Sequence, residues 1–466
     1  MAANTLDNNK MRTMPVAKLL FNMALPLAIS MLVQALYNVV DSIYVSRISE
    51  SAVTALSLAF PIQHLIIGFA TGIGVGMNSL LSKSLGENNR ERVNQAAGNG
   101  IFLMLIAVVM FMLFGVVGAR PFFAVQSSVE ETVKGGGDYL TICSLFCIGI
   151  FVEVLGERML QASGRTIYTL FTQGTGAVVN IILDPVFIFG VPELGIPALG
   201  MAGAAIATVI GQWIAAILAV IFNLTKNPEV QFTLRMIRPD RKVLGKILSV
   251  GIPSIIMMAI GSVMTFAING IFQGFKDYGE TATAVFGVYF KLQSFVIMPV
   301  LGINNASVSI IAYNYGARLP QRITGNLKCA LTTALTIMFL GVAVFQLFPT
   351  VLLGLFEPTE EFLAMGISAL QIVSLGFPFA AVSIALSASF QAMGVGIYST
   401  ITSLCRQLVV LVPVAYLLSL SGDVHLVWWA FAIAEIVSMT LTLLFYSRIY
   451  RNKIKPHSAM LRQLPY

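Results

Sequence analysis

The chain reads as an all-α polytopic membrane protein, with twelve transmembrane helices in two pseudo-symmetric six-helix bundles. Three observations predict this. Of its 466 residues, 57% are hydrophobic and 11% charged, with a mean hydropathy of +0.85; soluble domains carry about 25% charged residues. The apolar residues gather in runs of about 20 or more, long enough to cross about 30 Å of hydrocarbon as helices. They do not alternate with polar residues as the strands of a membrane barrel would. The third observation is that the second half of the chain repeats the first.

The predicted spans are 19–46, 53–82, 95–118, 138–161, 167–191, 201–223, 246–272, 281–311, 326–349, 362–391, 397–420 and 426–450. The longest polar connection, 224–245, falls near the middle of the chain. The expected organisation is a cytoplasmic segment 1–18, a first bundle 19–223, a cytoplasmic linker 224–245, a second bundle 246–450 and a cytoplasmic tail 451–466. No cleavage-type signal precedes the first span, which is expected to target the chain itself.

With the N-terminus inside, 22 Lys and Arg fall on the inner side, against four outside (Arg47, Arg120, Lys134 and Lys276). That bias places both termini in the cytoplasm. The net charge of +7 is therefore a topology signal rather than a nucleic-acid footprint. Cys143, Cys147, Cys329 and Cys405 show no metal-binding or CxxC spacing and read as small side chains of the interior.

The repeat runs through several segments. Ala24–Ile29 (ALPLAI) matches Gly251–Ile256 (GIPSII), with Pro26 over Pro253; Gln63 falls over Gln293 and Gly86 over Gly316. Gln161, Gly164 and Tyr168 fall over Gln391, Gly394 and Tyr398. The offset is 227 at the start and 230 later. A repeat of six spans keeps its orientation, so the halves should be related by an axis along the membrane normal, as in some secondary transporters.

Seven ionisable residues fall within the spans and away from the expected interfaces: Asp41, Glu153, Glu157, Asp184, Lys291, Arg406 and Glu435. A charge near the bilayer centre costs about 2.5–3.5 kcal/mol on insertion scales, so each is a functional candidate. In span 1, Gln34, Tyr37, Asn38 and Asp41 recur on one helix face, a polar stripe suited to a wet cavity. In span 5, within NIILDPVFIF, Asn180 lies one turn before Asp184. Pro185 removes the hydrogen bond that would return to Ile181. A carboxylate, an amide oxygen and a loosened carbonyl are the hard oxygen donors a small cation prefers.

Glu157 lies near Arg158 and Arg165 and is expected to form an ion pair, while the deeper Glu153 can join the cavity. Lys291 either offsets Glu435 or lines a substrate path, and Arg406 is read as snorkelling. Gly68, Gly72 and Gly76 have the small-xxx-small spacing of close helix packing. No Walker, HExxH or GxSxG motif is present, so no enzyme is expected and energy must come from a gradient or another chain.

YNVVDSIYVSRI in span 1, NIILDPVFIF in span 5 and IAYNYGA after span 8, with the two like bundles, resemble the MATE (multidrug and toxic compound extrusion) transporters, in particular the DinF-like and MepA-like bacterial branch. The resemblance covers about residues 15–450. It implies the V-shaped MATE fold and alternating access, and antiport of organic, often cationic amphipaths against H+ or Na+. It further implies no cofactor beyond that ion, no nucleic-acid partner, and a monomer in a bacterial inner membrane. It places coupling, with Na+ as a possible ligand, on Asp41, Asn180 and Asp184. Gln34, Tyr37, Asn38, Tyr139, Glu153 and Lys291 become candidate cavity residues, and Pro26 and Pro185 candidate hinges.

Two departures stand out. Ala198 to Ala207 holds no hydroxyl near the start of span 6, and Thr208 comes about two turns late. Lys246 to Phe275 lacks the acid that the NorM-like branch places in span 7. A flippase for a lipid-linked glycan is the rival within transport, although Lys291 and Arg406 are the only basic residues deep in spans. A channel or membrane-embedded sensor fits the internal repeat less well.

Overall fold

The computed structural model describes residues 10–231, 236–276, 278–356 and 359–456, and these are almost entirely helical. Ten helices are long and apolar enough to cross a membrane. They are Val16–Ser46 (span 1), Glu50–Gly86 (2), Arg90–Val117 (3), Ile167–Phe189 (5), Met201–Lys226 (6), Arg241–Gln273 (7), Gly279–Gly316 (8), Pro320–Leu347 (9), Ile397–Ser419 (11) and Val424–Ile454 (12). Two bent pairs complete the twelve. Glu130–Leu145 with Ile148–Ala162 (47°) forms span 4, and Glu360–Ser374 with Phe377–Ala392 (46°) forms span 10. These breaks are absent from the sequence-based limits, which treated each as one run.

Local chemistry starts these helices where they start. Ser49 caps span 2 by accepting from the Ala52 amide, Asn89 caps span 3 by accepting from Arg92, and Thr359 caps span 10 by accepting from Phe362. The repeat is written into the backbone as well. Gly164 and Gly394 both take positive φ (81° and 73°), as do Asn88 and Arg318 (57° each). Each pair lies 230 residues apart and closes a helix end alike: the amides of Arg165 and Val395 return to the carbonyls of Leu160 and Phe390.

The chain forms two compact units, which do not coincide with the two covalent halves. One holds Ile29–Ile255; the other holds the described residues up to Ala28 together with Ile256 onward. The chain changes unit inside span 1 and inside span 7, two residues after Pro26 and Pro253. The described part of the polar connection 224–245, expected as a cytoplasmic linker, belongs to the first unit. There Asn94 Oδ1 accepts from the Gln231 amide, Asn99 Oδ1 accepts from Asp240, and Arg165 pairs with Glu229 at 2.9 Å. The close packing expected of Gly72 and Gly76 is formed against the opening of span 7. A Cβ on Gly72 would lie 2.7 Å from the Gly251 carbonyl oxygen. In the second unit the same arrangement recurs, with Gly302 of span 8 against Ala28 of span 1.

Within each unit the core is small and aromatic. Phe123, Tyr139, Ala204 and Ala205 anchor one end of the first; Phe272, Phe286, Tyr289 and Trp428 anchor the second. Outside, large apolar side chains stand exposed, among them Val116, Val117, Phe266 and Leu347. That surface suits hydrocarbon, with each backbone polar group bonded within its own helix.

Candidate functional site

The polar stripe of span 1 and the Asn180–Asp184 turn of span 5 fall in the same unit, beside spans 4 and 6. A cavity of about 50 Å³ lies there, lined by Gln34, Tyr37, Glu153, Gln173, Asn180, Thr208 and Gln212 among others. Its floor is a glycine contact: a Cβ on Gly211 of span 6 would sit 2.8 Å from the Gly176 carbonyl oxygen of span 5. Two side chains there would push the helices apart, so the glycines set how tightly the site closes.

Asp184 is fully buried and Asn180 nearly so. Asn180 Nδ2 donates to Asp184 Oδ1 at 3.2 Å and approaches Thr208 Oγ1 at 3.4 Å. Thr208 therefore belongs to the site, although its distance from the start of span 6 had counted against it. Asp184 Oδ2, Asn180 Oδ1 and Asp41 Oδ1 are each buried without a hydrogen-bond partner. Asp41 and Asp184 lie close enough to act on each other as charges, and both act on Tyr37. These three acceptor oxygens receive no donor from the chain, and a carboxylate or amide oxygen cannot satisfy another of its kind. Among the described residues, no group of three or more His, Cys, Asp or Glu is placed to hold a metal. What the site offers is two carboxylates with amide and hydroxyl oxygens, a donor set suited to a small hard cation or a proton.

The other sequence candidates divide between the two units. Glu153 is buried and lines the cavity. Tyr139 is buried but absent from the cavity wall, and it accepts from Gln63 Nε2 at 2.6 Å, tying span 4 to span 2. Asn38 is exposed and absent from the cavity wall. Lys291 is exposed in the second unit. Pro26 belongs to that unit too, and span 5 runs through Pro185 as one continuous helix.

Two expectations are corrected. Glu157 is not held by an arginine; it accepts from Thr172 Oγ1 at 2.6 Å and from Gln173 Nε2 at 2.9 Å, while Arg158 donates to Gln161 and Arg165 pairs with Glu229. Arg406 does not snorkel away but pairs with Glu435 at 2.9 Å. That leaves Lys291 without the role of offsetting Glu435. Of the cavity residues missed in the sequence, Gln173 and Gly176 share a helix face with Asn180, whereas Gln212 lies on span 6, where no candidate was placed. Gln173 precedes Asn180 by two turns and Asp184 by three, a signal the stripe argument could have used.

Comparison with known proteins bears on the family and the fold. The MatE family model matches residues 26–186 and 253–417, one stretch in each half of the repeat. The multidrug export protein MepA of Staphylococcus haemolyticus is 24% identical over 96% of this chain and 96% of its own length. The probable multidrug resistance protein YoeA of Bacillus subtilis is 26% identical, over 92% of this chain and 93% of its own. The outward-facing structure of a multidrug resistance MATE family transporter superposes with a TM-score of 0.89 at 27% identity, over 97% of this chain and 98% of that one. With its all-helical fold, internal repeat and family match across both halves, the chain belongs to the MATE family of membrane transporters.

Proposed function

We propose that this transporter is a secondary active multidrug exporter, antiporting organic and often cationic amphipaths against H+ or Na+ by alternating access. We place it in a bacterial plasma membrane as a monomer with both termini cytoplasmic. The observation that carries the coupling is the set of orphaned acceptors on Asp41, Asn180 and Asp184. The multidrug names of its relatives support the substrate class.

In this reading the site alternates between two costs. Facing outward, Asp41 or Asp184 takes a proton or Na+, and the neutralised site can stay dry and closed. Facing inward, the cation leaves and the exposed carboxylates attract a cationic substrate. Both ligands compete for the same negative charge, which is linkage between two sites of binding. Span 1 changes unit just after Pro26, a position where a missing backbone hydrogen bond makes bending cheap.

The test is ethidium export by the purified protein in liposomes, with proton and sodium gradients imposed separately. Export driven by one gradient and lost in both Asp41→Asn and Asp184→Asn is expected. Full gradient-driven export by both variants would sink the coupling site.

A further inference from the structure

We infer that the second unit carries its own ligand subsite, built on Arg406 and Glu435, which takes the carboxylate of an anionic or zwitterionic amphipath. The inference rests on the exporter reading above and extends its substrate class.

The internal repeat locates the subsite. Span 5 maps onto span 11 with an offset of 230, as the two positive-φ glycines show. Span 6 maps onto span 12 through a ring pair. Tyr168 packs on Phe222 with centroids 4.8 Å apart, and Tyr398 packs on Phe445 at 4.6 Å. With Tyr168 over Tyr398, Phe222 falls over Phe445, and Gln212 then falls over Glu435. Gly176 falls over Arg406. Gly176 and Gln212 both line the cavity of the first unit. The second unit thus puts a cation and an anion where the first puts a glycine and an amide. The coupling acids are gone there: Asp41 falls over Ile268 and Asp184 over Val414.

Two backbone features and one buried side chain converge on the pair. Arg406 lies in a π-helical stretch, Cys405–Leu411, and such stretches gather at functional sites. Span 10 breaks beside Glu435: a Cβ on Gly376 would lie 3.3 Å from Glu435 Cγ. Broken helices mark binding sites in transporters. Buried Tyr289 of span 8 lies within electrostatic reach of both charges. On the same stretch, Gln407 Nε2 donates to Ser403 Oγ at 2.9 Å.

The pair itself is incompletely bonded. A single contact joins Arg406 Nη1 to Glu435 Oε1 at 2.9 Å. Glu435 Oε2 is buried with no partner, and the Arg406 side chain is 28% exposed. A guanidinium offers five donors in a planar fork and binds a carboxylate best through two of them. A ligand carboxylate can therefore engage the donors Glu435 leaves open, or take its place. The free Oε2 suits an ammonium or amide donor on the same ligand. A purely cationic ligand would meet the guanidinium at this point, so the subsite favours the class the first unit does not.

The test uses purified full-length protein in detergent, with 1-pyrenebutyrate, its primary amide and ethidium as fluorescent probes. Wild type should bind the carboxylate saturably and about tenfold or more tighter than the amide, since a bidentate charged pair is lost with the amide. Arg406→Gln/Glu435→Gln, which removes both charges together and so strands neither, should lose that preference. It should keep ethidium binding within about twofold, which also reports that it is folded. Glu435→Gln alone should tighten carboxylate binding by freeing the guanidinium. Equal binding of carboxylate and amide by wild type, or unchanged carboxylate binding by the double variant, would overturn the subsite. Failure of wild type to export ethidium in liposomes, with carboxylate binding intact, would instead overturn the exporter reading and leave the subsite standing.

Discussion

Asn180 Nδ2 donates to Asp184 Oδ1 one helical turn below it, at 3.2 Å, and by doing so spends its donor within the site. What remains on that turn, and on Asp41 facing it, is acceptor oxygen without a donor. The arrangement gathers buried acceptor oxygens beside a cavity lined by Gln34, Tyr37, Glu153 and Thr208. Replacing either acid with asparagine keeps the shape and brings its own donors. Asp184→Asn and Asp41→Asn should each reduce gradient-driven ethidium export by about 5- to 150-fold, the range of typical coupling energies. Export in liposomes under an imposed gradient checks this, with unchanged elution in size-exclusion chromatography as the folding control.

The twelve spans and the polar face of span 1 were legible because both depend on periodicity and apolar length, which a single sequence carries. The breaks in spans 4 and 10 were not. A hydropathy run through Phe146 or Leu375 records that residues are apolar, not that the helix axis turns by 47° or 46°. Thr208 was discounted by counting along the chain, whereas its fit to Asn180 depends on which way span 6 faces. Glu157 was assigned to nearby arginines by proximity in sequence. In the fold its partners come from span 5, fifteen and sixteen residues on.

Thr208 supplies a neutral hydroxyl at 3.4 Å from Asn180 Nδ2. Its loss should cost less than the loss of a carboxylate. Thr208→Ala is expected to lower export by about 2- to 10-fold, the worth of one neutral hydrogen bond, and Thr208→Ser to restore most of it. If Na+ is the coupling ion, the Ala variant should need a higher sodium concentration for half-maximal export. Equal sodium dependence in the two variants would remove the hydroxyl from the ion's shell.

Glu157 is buried and satisfies Thr172 and Gln173 at once. Glu157→Ala takes the acceptor from Gln173 Nε2, at about 1–3 kcal/mol, while the Thr172 hydroxyl keeps the Thr169 carbonyl at 2.9 Å. A lower thermal unfolding midpoint in detergent is expected, together with weaker ethidium binding, because Gln173 also lines the cavity. Glu157→Gln keeps one acceptor oxygen and should fall between the variant and wild type. An unchanged midpoint in the Ala variant would mean these hydrogen bonds contribute nothing net.

The reciprocal crossing of spans 1 and 7 makes a last demand on glycine. In the first unit a Cβ on Gly76 would overlap the Ile247 carbonyl and lie 3.1 Å from the Gly251 amide. In the second, a Cβ on Gly302 would lie 2.7 Å from the Ala28 amide. Both obstacles are backbone, which cannot rotate away as a side chain can, so the helices must separate. Gly76→Ala and Gly302→Ala should each destabilise the protein by about 1–3 kcal/mol, the usual cost of overpacking. Gly287, on the same helix as Gly302, has nothing within 4 Å of its would-be Cβ. Gly287→Ala should therefore be neutral, or stabilising by about 0.5–1 kcal/mol through helix propensity. Thermal unfolding of the three variants side by side separates close backbone contact from the generic effect of alanine. If Gly302→Ala matched Gly287→Ala, span 1 would not be held against span 8 as described.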